Sequence, residues 1–402
     1  MRFGSRRVRL LPLVGFASGL PYLLSGATLS ARLNAAGVDL TTLGLFALVA
    51  LPYSFKFAWA PLLDRFTVPL LGRRRGWMVV LQLAVACAIA ALGVADPRTA
   101  PLSVAALALC LTFVSASLDV VSDAYNADVL EPAERGPGGA AFVLGYRTAM
   151  LLSGSVALIL ADHLPWRTVY FGFAGAMLVG VGATLLAPEP ANVRPPPSLS
   201  AAVVEPLRDY FARPHALAVL AFLTLYRLGD TVAVALLTPF LLRLGFSMSE
   251  IGTVNQGVGL FATIVGALVG GGLVERLGLY RALLIFGILQ ALTNAGYCLL
   301  ALVGPHHALL VAAVAVDNLC TGLATAASVA FLLSLCNPRF SATQLSLLTS
   351  ATGLAGRLLS ASSGYLAART GFAGFFALTI ALALPALALL IDLRRRGLFR
   401  AS

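Results

Sequence analysis

Long apolar runs separated by short polar gaps recur along the whole chain. They fall at 9–32, 40–62, 76–95, 102–124, 139–160, 167–187, 214–242, 250–272, 282–303, 308–332, 342–367 and 372–392. Each is near the length that a helix needs to cross a bilayer. The runs are continuous, whereas the strands of a β-barrel would show short alternating segments. Helices satisfy their own backbone hydrogen bonds in lipid, so the pattern predicts twelve membrane helices and an all-α membrane protein.

The pattern also repeats. Gly37-x6-Gly44, Asp64-Arg65 and Arg147-x5-Ser153-Gly154 return as Gly245-x6-Gly252, Glu275-Arg276 and Arg357-x5-Ser363-Gly364, in the same order and at offsets of 208, 211 and 210 residues. Duplication inside a polytopic chain is the mark of a transporter built from two related halves. The break between them is the Pro188-Glu-Pro190 and Pro195-Pro-Pro197 stretch, which cannot be helical throughout. Residues 199–212 then alternate apolar with charged positions, as an amphipathic helix on the inner leaflet does. The expected organisation is a six-helix half at 1–187, a cytoplasmic linker at 188–213 and a second six-helix half at 214–402. Six is even, so the halves share one orientation. The gaps Ala95–Pro101, Ala161–Trp166, Gly304–His307 and Arg369–Gly371 are too short for an outer domain, and the chain is expected to be a monomer.

Composition agrees. The 402 residues are 59% hydrophobic and 11% charged, with a mean hydropathy of +0.90. The net charge of +11 would suit a nucleic-acid partner, but its distribution excludes one. Arg2, Arg6, Arg7 and Arg9 begin the chain, Arg73, Arg74 and Arg75 fill the first internal gap, and Arg394, Arg395 and Arg396 follow the last run. That is the positive-inside pattern, with both termini in the cytoplasm. The basic start is a first membrane helix rather than a secretory signal, because its apolar run continues to Leu33 and no hydrophilic domain follows. The five cysteines form no CxxC and no metal or disulfide framework is expected; His306-His307 has no carboxylate or cysteine beside it in sequence.

Ionisable residues inside the runs carry the chemistry. Apart from those at or beside the run ends, chief among them are Lys56, Asp119, Asp123, Arg147, Arg227, Asp230, Asp317 and Arg357. Insertion of each at a helix centre costs roughly 2.5–3.5 kcal/mol, so the set is expected to be paired or to line a watery cavity. Asp119 and Asp123 share one helical face; two carboxylates a turn apart repel, and one holds a proton unless a cation sits between them. That suits proton coupling, and it equally suits a structural bridge to Lys56 or Arg147. Arg227 and Asp230 are spaced to pair with each other. Arg147 and Arg357, matched across the duplication, suit either a carboxylate-bearing substrate or the bracing of helices. Asp317-Asn318 and Gln344 add polar groups, and Tyr22, Tyr125 and Tyr146 offer rings that stack on sugars or simply pack.

Asp64-Arg65 followed by Gly72-Arg73-Arg74-Arg75-Gly76 resembles the signature loop of the major facilitator superfamily, and Glu275-Arg276 resembles its second copy. The resemblance implies a gating role for Asp64, Arg65, Arg73, Arg74, Glu275 and Arg276. Longer strings narrow it: Gly15-Phe-Ala-Ser-Gly-Leu-Pro21, Leu51-Pro-Tyr-Ser-Phe-Lys56, Asp123-Ala-Tyr125, Glu134-Arg-Gly136, Gly145-Tyr-Arg147, Leu225-Tyr-Arg-Leu-Gly-Asp230 and Phe340-Ser-Ala-Thr-Gln344. Together they resemble AmpG-type muropeptide permeases. The resemblance implies import of anhydromuropeptides for cell-wall recycling, driven by a proton gradient with no other cofactor, and a link to β-lactamase induction. The expected roles are a proton at Asp119 or Asp123, and substrate contacts from Lys56, Arg147, Arg227, Asp230, Asp317, Asn318, Gln344, Arg357, Tyr22, Tyr125 and Tyr146. The alternatives are transport of another anionic solute, such as an acetyl-CoA-like metabolite or an exported drug, and, from a different class, a non-transporting sensor or enzyme. No GxSxG or HExxH supports an enzyme, and the one histidine that falls inside a run, His215, stands at its very start.

Overall fold

The computed structural model describes residues 5–66, 68, 71–131, 134–190, 208–213, 215–335 and 341–399. Within these residues the chain is helical, and ten helices are long and apolar enough to cross a membrane. Two of the twelve runs, 40–62 and 342–367, are not among those ten. Prolines explain the first. Pro52 and Pro61 lack the N–H that would continue an α-helix, and the run becomes Leu40–Leu45, Leu51–Phe55 and Ala60–Arg65 joined by tighter 3-10 turns at Phe46–Ala50 and Lys56–Ala58. The second is Ser341–Ser360, interrupted at residues 361–362 before the helix restarts at Ser363. Gly371, at φ +69°, then separates the end of that run from the twelfth, which ends in Leu384–Arg395. Among the described residues, these pieces occupy the places of the two remaining runs, in keeping with twelve membrane helices.

The chain divides into two compact units, Met1–Val38 with Val49–Pro196, and Asp39–Leu48 with Pro197–Ser402. The start of the second run therefore clusters with the second unit. The linker helix expected at 199–212 lies mostly outside the described residues, which include a helical stretch at 208–211.

The duplicated glycines have a local meaning. Gly37 and Gly245 both sit at positive φ, +86° and +107°, where a left-handed residue stops the preceding helix. Two residues on, Asp39 and Ser247 both cap the next helix, accepting from the backbone N–H of Thr42 and Glu250. Each Gly-x-cap triplet is a stop followed by a start. The helix after each start is irregular: 3-10 turns in the second span, and a π-helical stretch, Gly252–Val258, in the eighth. Elsewhere small residues let helices approach closely. In the first unit a Cβ on Gly145 would lie 1.8 Å from the Pro12 carbonyl oxygen, tying spans one and five. In the second, one on Gly266 would lie 2.1 Å from the Leu319 carbonyl oxygen, tying spans eight and ten.

Candidate functional site

The second span is laced to the fourth, Pro101–Val129, by polar contacts that follow the helical repeat. Thr112 donates to the Val49 carbonyl at 2.6 Å, the Tyr53 and Ser115 hydroxyls are 2.7 Å apart, and the Trp59 indole donates to Ser117 at 3.0 Å. The irregular turn between the two prolines sets Lys56 into this seam. Its Nζ lies 3.7 Å from Asp119 Oδ2 and 3.9 Å from Asp123 Oδ2. One cation thus bridges two carboxylates a helical turn apart, for a formal net charge of −1. Between the two partners open in the sequence, the geometry selects Lys56.

The two acids differ in surroundings. Asp119 is 8% exposed, and Ser18 of the first span donates to its Oδ1 at 2.5 Å. The Asp123 side chain is 62% exposed. A buried acid and an exposed one thus share a single lysine. Tyr22 stacks edge-on against Tyr53 with centroids 5.4 Å apart, and the Tyr146 ring lies over Gly19, so both border the seam. Arg147 is exposed, with Met150 Sδ 3.8 Å from its guanidinium and no carboxylate partner among the described residues. Tyr125 points away from the seam: it is buried and donates to the Pro188 carbonyl at 2.9 Å.

The second unit holds a separate polar cluster. Arg227 reaches Asp230 at 3.5 Å, as their spacing predicted, and donates to Thr325 at 2.9 Å. Asp317 is 3% exposed and accepts from Thr293, Gln290 and Tyr297 of the ninth span. Sequence reasoning passed over Ser18, Gln290, Thr293 and Tyr297. The last three were readable, because with Asn294 they place polar atoms on one face of an otherwise apolar run. Ser18 lies 101 residues from Asp119 and left no such trace. Asn318 is engaged between spans, donating to Val314 and accepting from Thr263. Arg357 is half-buried late in Ser341–Ser360; the Gln344 side chain lies outside the described residues.

Of the expected gating residues, Arg74 is buried and pairs with Asp128 at 2.9 Å. Arg73 opens the third span, and its neighbours Arg74 and Arg75 have their backbone N–H groups capped by the Glu189 carboxylate. The Asp64 and Arg65 side chains lie outside the described residues. Glu275 and Arg276 are at the end of Gly259–Leu277, where Gly278 at φ +77° stops the helix. His307, without a carboxylate neighbour in sequence, does meet one in space: its ring contacts Glu250, which the capping box at Ser247 brings beside it. Among the described residues no group of three metal-ligating side chains forms.

A broken helix carrying a lysine–dicarboxylate seam, in a duplicated set of twelve membrane helices, defines a secondary transporter. The model of the Major Facilitator Superfamily matches residues 11–311, and the chain belongs to that superfamily and, within it, to the AmpG-type permeases. It is 47% identical over 396 residues to the anhydromuropeptide permease of Escherichia coli (strain K12), covering 98% of this chain and 81% of that relative. It is 32% identical to the putative transporter AmpG 4 of Rickettsia conorii, covering 96% and 95%. Among solved structures it resembles the nucleoside transporter NupG, with a TM-score of 0.74 at 13% identity, over 97% of this chain and 98% of that one. At that identity the likeness is one of fold.

Proposed function

We propose that this protein imports anhydromuropeptides, sugar–peptide fragments of the cell wall, across the bacterial inner membrane, driven by an inward proton gradient. The observation that carries the reading is identity of 47% along nearly the whole chain to a relative named for that solute. The Lys56–Asp119–Asp123 seam supports coupling. Its net charge of −1 is neutralised by a single proton, and an electrically balanced seam crosses lipid-facing states at lower cost. Arg147, a cation without a carboxylate of its own among the described residues, suits the carboxylates of a peptide stem. Tyr22 and Tyr146 offer ring faces to the sugars.

In this reading the two six-helix units alternate access to a site near the membrane midplane. Both termini lie in the cytoplasm, with the Arg73–Arg75 and Arg394–Arg396 clusters on that side. The protein works as a monomer. Recovery of the fragments returns wall material to the cell and links the transporter to β-lactamase induction. The deciding experiment is uptake of labelled anhydromuropeptide by purified protein in proteoliposomes. Accumulation with an inward proton gradient, and only equilibration without one, is the expected result. Equal uptake in both conditions removes the coupling, and no uptake in either removes the solute.

A further inference from the structure

The second unit repeats the charge balance of the seam with different residues. Arg227, Asp230 and Asp317 are one cation and two carboxylates, again with a formal net charge of −1. Here the cation is committed to one partner: Arg227 pairs with Asp230 and spends another N–H on Thr325. Among the described residues, no lysine, arginine or histidine lies within ion-pair distance of Asp317. What surrounds it is neutral. Thr293 donates to Oδ1 at 2.6 Å, Gln290 to the same oxygen at 3.3 Å, and Tyr297 to Oδ2 at 3.1 Å. A carboxylate buried in a membrane helix with neutral donors alone is costly as a permanent anion.

Gln290 supplies an independent observation. It is 7% exposed, and its Nε2 lies 3.3 Å from both Asp317 Oδ1 and Asp230 Oδ1. Its Oε1 is buried and has no hydrogen-bond partner. A buried amide oxygen beside two carboxyl groups lacks only a donor, and a protonated carboxyl is one. A half-turn of the amide exchanges its oxygen and nitrogen. Gln290 therefore fits both forms of Asp317, donating to a carboxylate and, once turned, accepting from an acid; the turn gives up its bond to Asp230 Oδ1 and leaves Asp230 to Arg227.

We propose that Asp317 is a second proton-binding site of this transporter, with the Gln290 amide turning to match its protonation state. A proton from water adds to Asp317 Oδ1; the amide turns, and Oε1 accepts the new O–H. Release reverses both steps, while Asp230 keeps Arg227 throughout. The cluster passes between −1 and zero, and no other group changes charge. The titratable groups that face Asp317 are Asp230 and, through it, Arg227 on the seventh span, Tyr297 on the ninth, and Cys320 on its own helix. The proposal rests on the reading of a proton-coupled importer and adds a position in the second unit, so that each unit holds one proton.

Infrared difference spectra of the purified full-length protein in lipid, taken between acidic and alkaline pH, follow the C=O stretch of protonated carboxyls. The expected band is lost in Asp317→Asn and retained in Asp119→Asn. Tyr297→Phe keeps it but displaces its frequency, because a hydrogen-bond partner is gone. In proteoliposomes, Asp317→Asn moves fewer protons per solute than the unsubstituted protein. An Asp317→Asn spectrum identical to that of the unsubstituted protein overturns the proposal. Should that variant fail to fold, Tyr297→Phe and Gln290→Leu decide alone, and unshifted bands in both overturn it. A displaced Asp317 band together with gradient-independent uptake keeps the proton site and removes the coupling instead. Gradient-driven uptake with no Asp317 band does the reverse.

Discussion

Gly44 and Gly364 meet backbone to backbone within the second unit. A Cβ on Gly44 would lie 2.6 Å from the Gly364 nitrogen, and one on Gly364 would lie 1.8 Å from the Leu40 carbonyl oxygen. Both glycines belong to the duplicated pattern, although to different parts of it. Their contact anchors the 39–48 segment in a unit that the rest of its run does not join. Gly364→Ala cannot be absorbed by a side-chain shift, since the obstacle is backbone. It should cost about 2 kcal/mol or more and lower Tm by several degrees. Gly175→Ala, whose Cβ would meet nothing within 4 Å, is the control and should leave Tm unchanged or slightly raised. Thermal unfolding of the two purified variants checks this.

The seam makes separable predictions for its lysine and its buried acid. Lys56→Met leaves Asp119 and Asp123 facing each other without the cation between them. Uptake should fall roughly tenfold or more, the factor that about 1.4 kcal/mol of lost pairing gives. Asp119→Asn keeps an oxygen to accept from Ser18 but cannot exchange a proton at working pH. It should retain exchange of labelled for unlabelled solute across the liposome membrane while losing gradient-driven accumulation. Full accumulation by Asp119→Asn would take that residue out of the coupling.

What was legible followed from local chemistry. The run lengths and the duplication were enough for the twelve helices, because crossing a bilayer constrains length and polarity directly. The repeat even carried its own explanation, since Gly37 and Gly245 are each followed at the same distance by a capping residue. Asp119 and Asp123 were readable as a pair for the same reason: a helix puts residues four apart on one face. Contacts between helices were not. Ser18 and Asp119, Gln290 and Asp317, and Glu250 and His307 meet through packing of distant segments, and no spacing encodes those meetings. The acids of the fourth span have no acidic counterpart at the matching offset; the second unit holds the same formal charge balance in other residues, Arg227, Asp230 and Asp317.

Arg32 tests a structural charge that the sequence did not single out. It is 6% exposed, its guanidinium donates to the Leu92 carbonyl at 2.6 Å and the Ala95 carbonyl at 2.5 Å, and it stacks 5.1 Å from the Tyr170 ring centroid. The planar fork reaches two carbonyls at the end of the third span while covering an aromatic face. A lysine keeps the charge and loses that geometry. Arg32→Lys should cost about 2 kcal/mol. Arg167→Lys, at an exposed stack 5.6 Å from Phe171, should change little. Chemical or thermal denaturation in detergent separates the two.

Asp39 gives the fold a dependence on acid that can be removed without removing the cap. Its carboxylate accepts from the Thr42 hydroxyl at 2.6 Å and the Thr42 backbone N–H at 3.0 Å. The hydroxyl contact foremost holds its pKa below the ordinary aspartate value of 3.8. A group lowered on folding contributes stability above its unfolded pKa and loses it as pH falls through the folded one. The contribution is therefore complete at neutral pH and fades below about pH 4. Asp39→Ala should lose about 1 kcal/mol at neutral pH, the usual worth of an N-cap. Asp39→Ser caps with a hydroxyl that does not titrate, so it should match the unsubstituted protein at neutral pH and hold more of its Tm as pH falls from about 5 to 3. Parallel acid curves for Asp39→Ser and the unsubstituted protein would show that the cap's charge plays no part in stability.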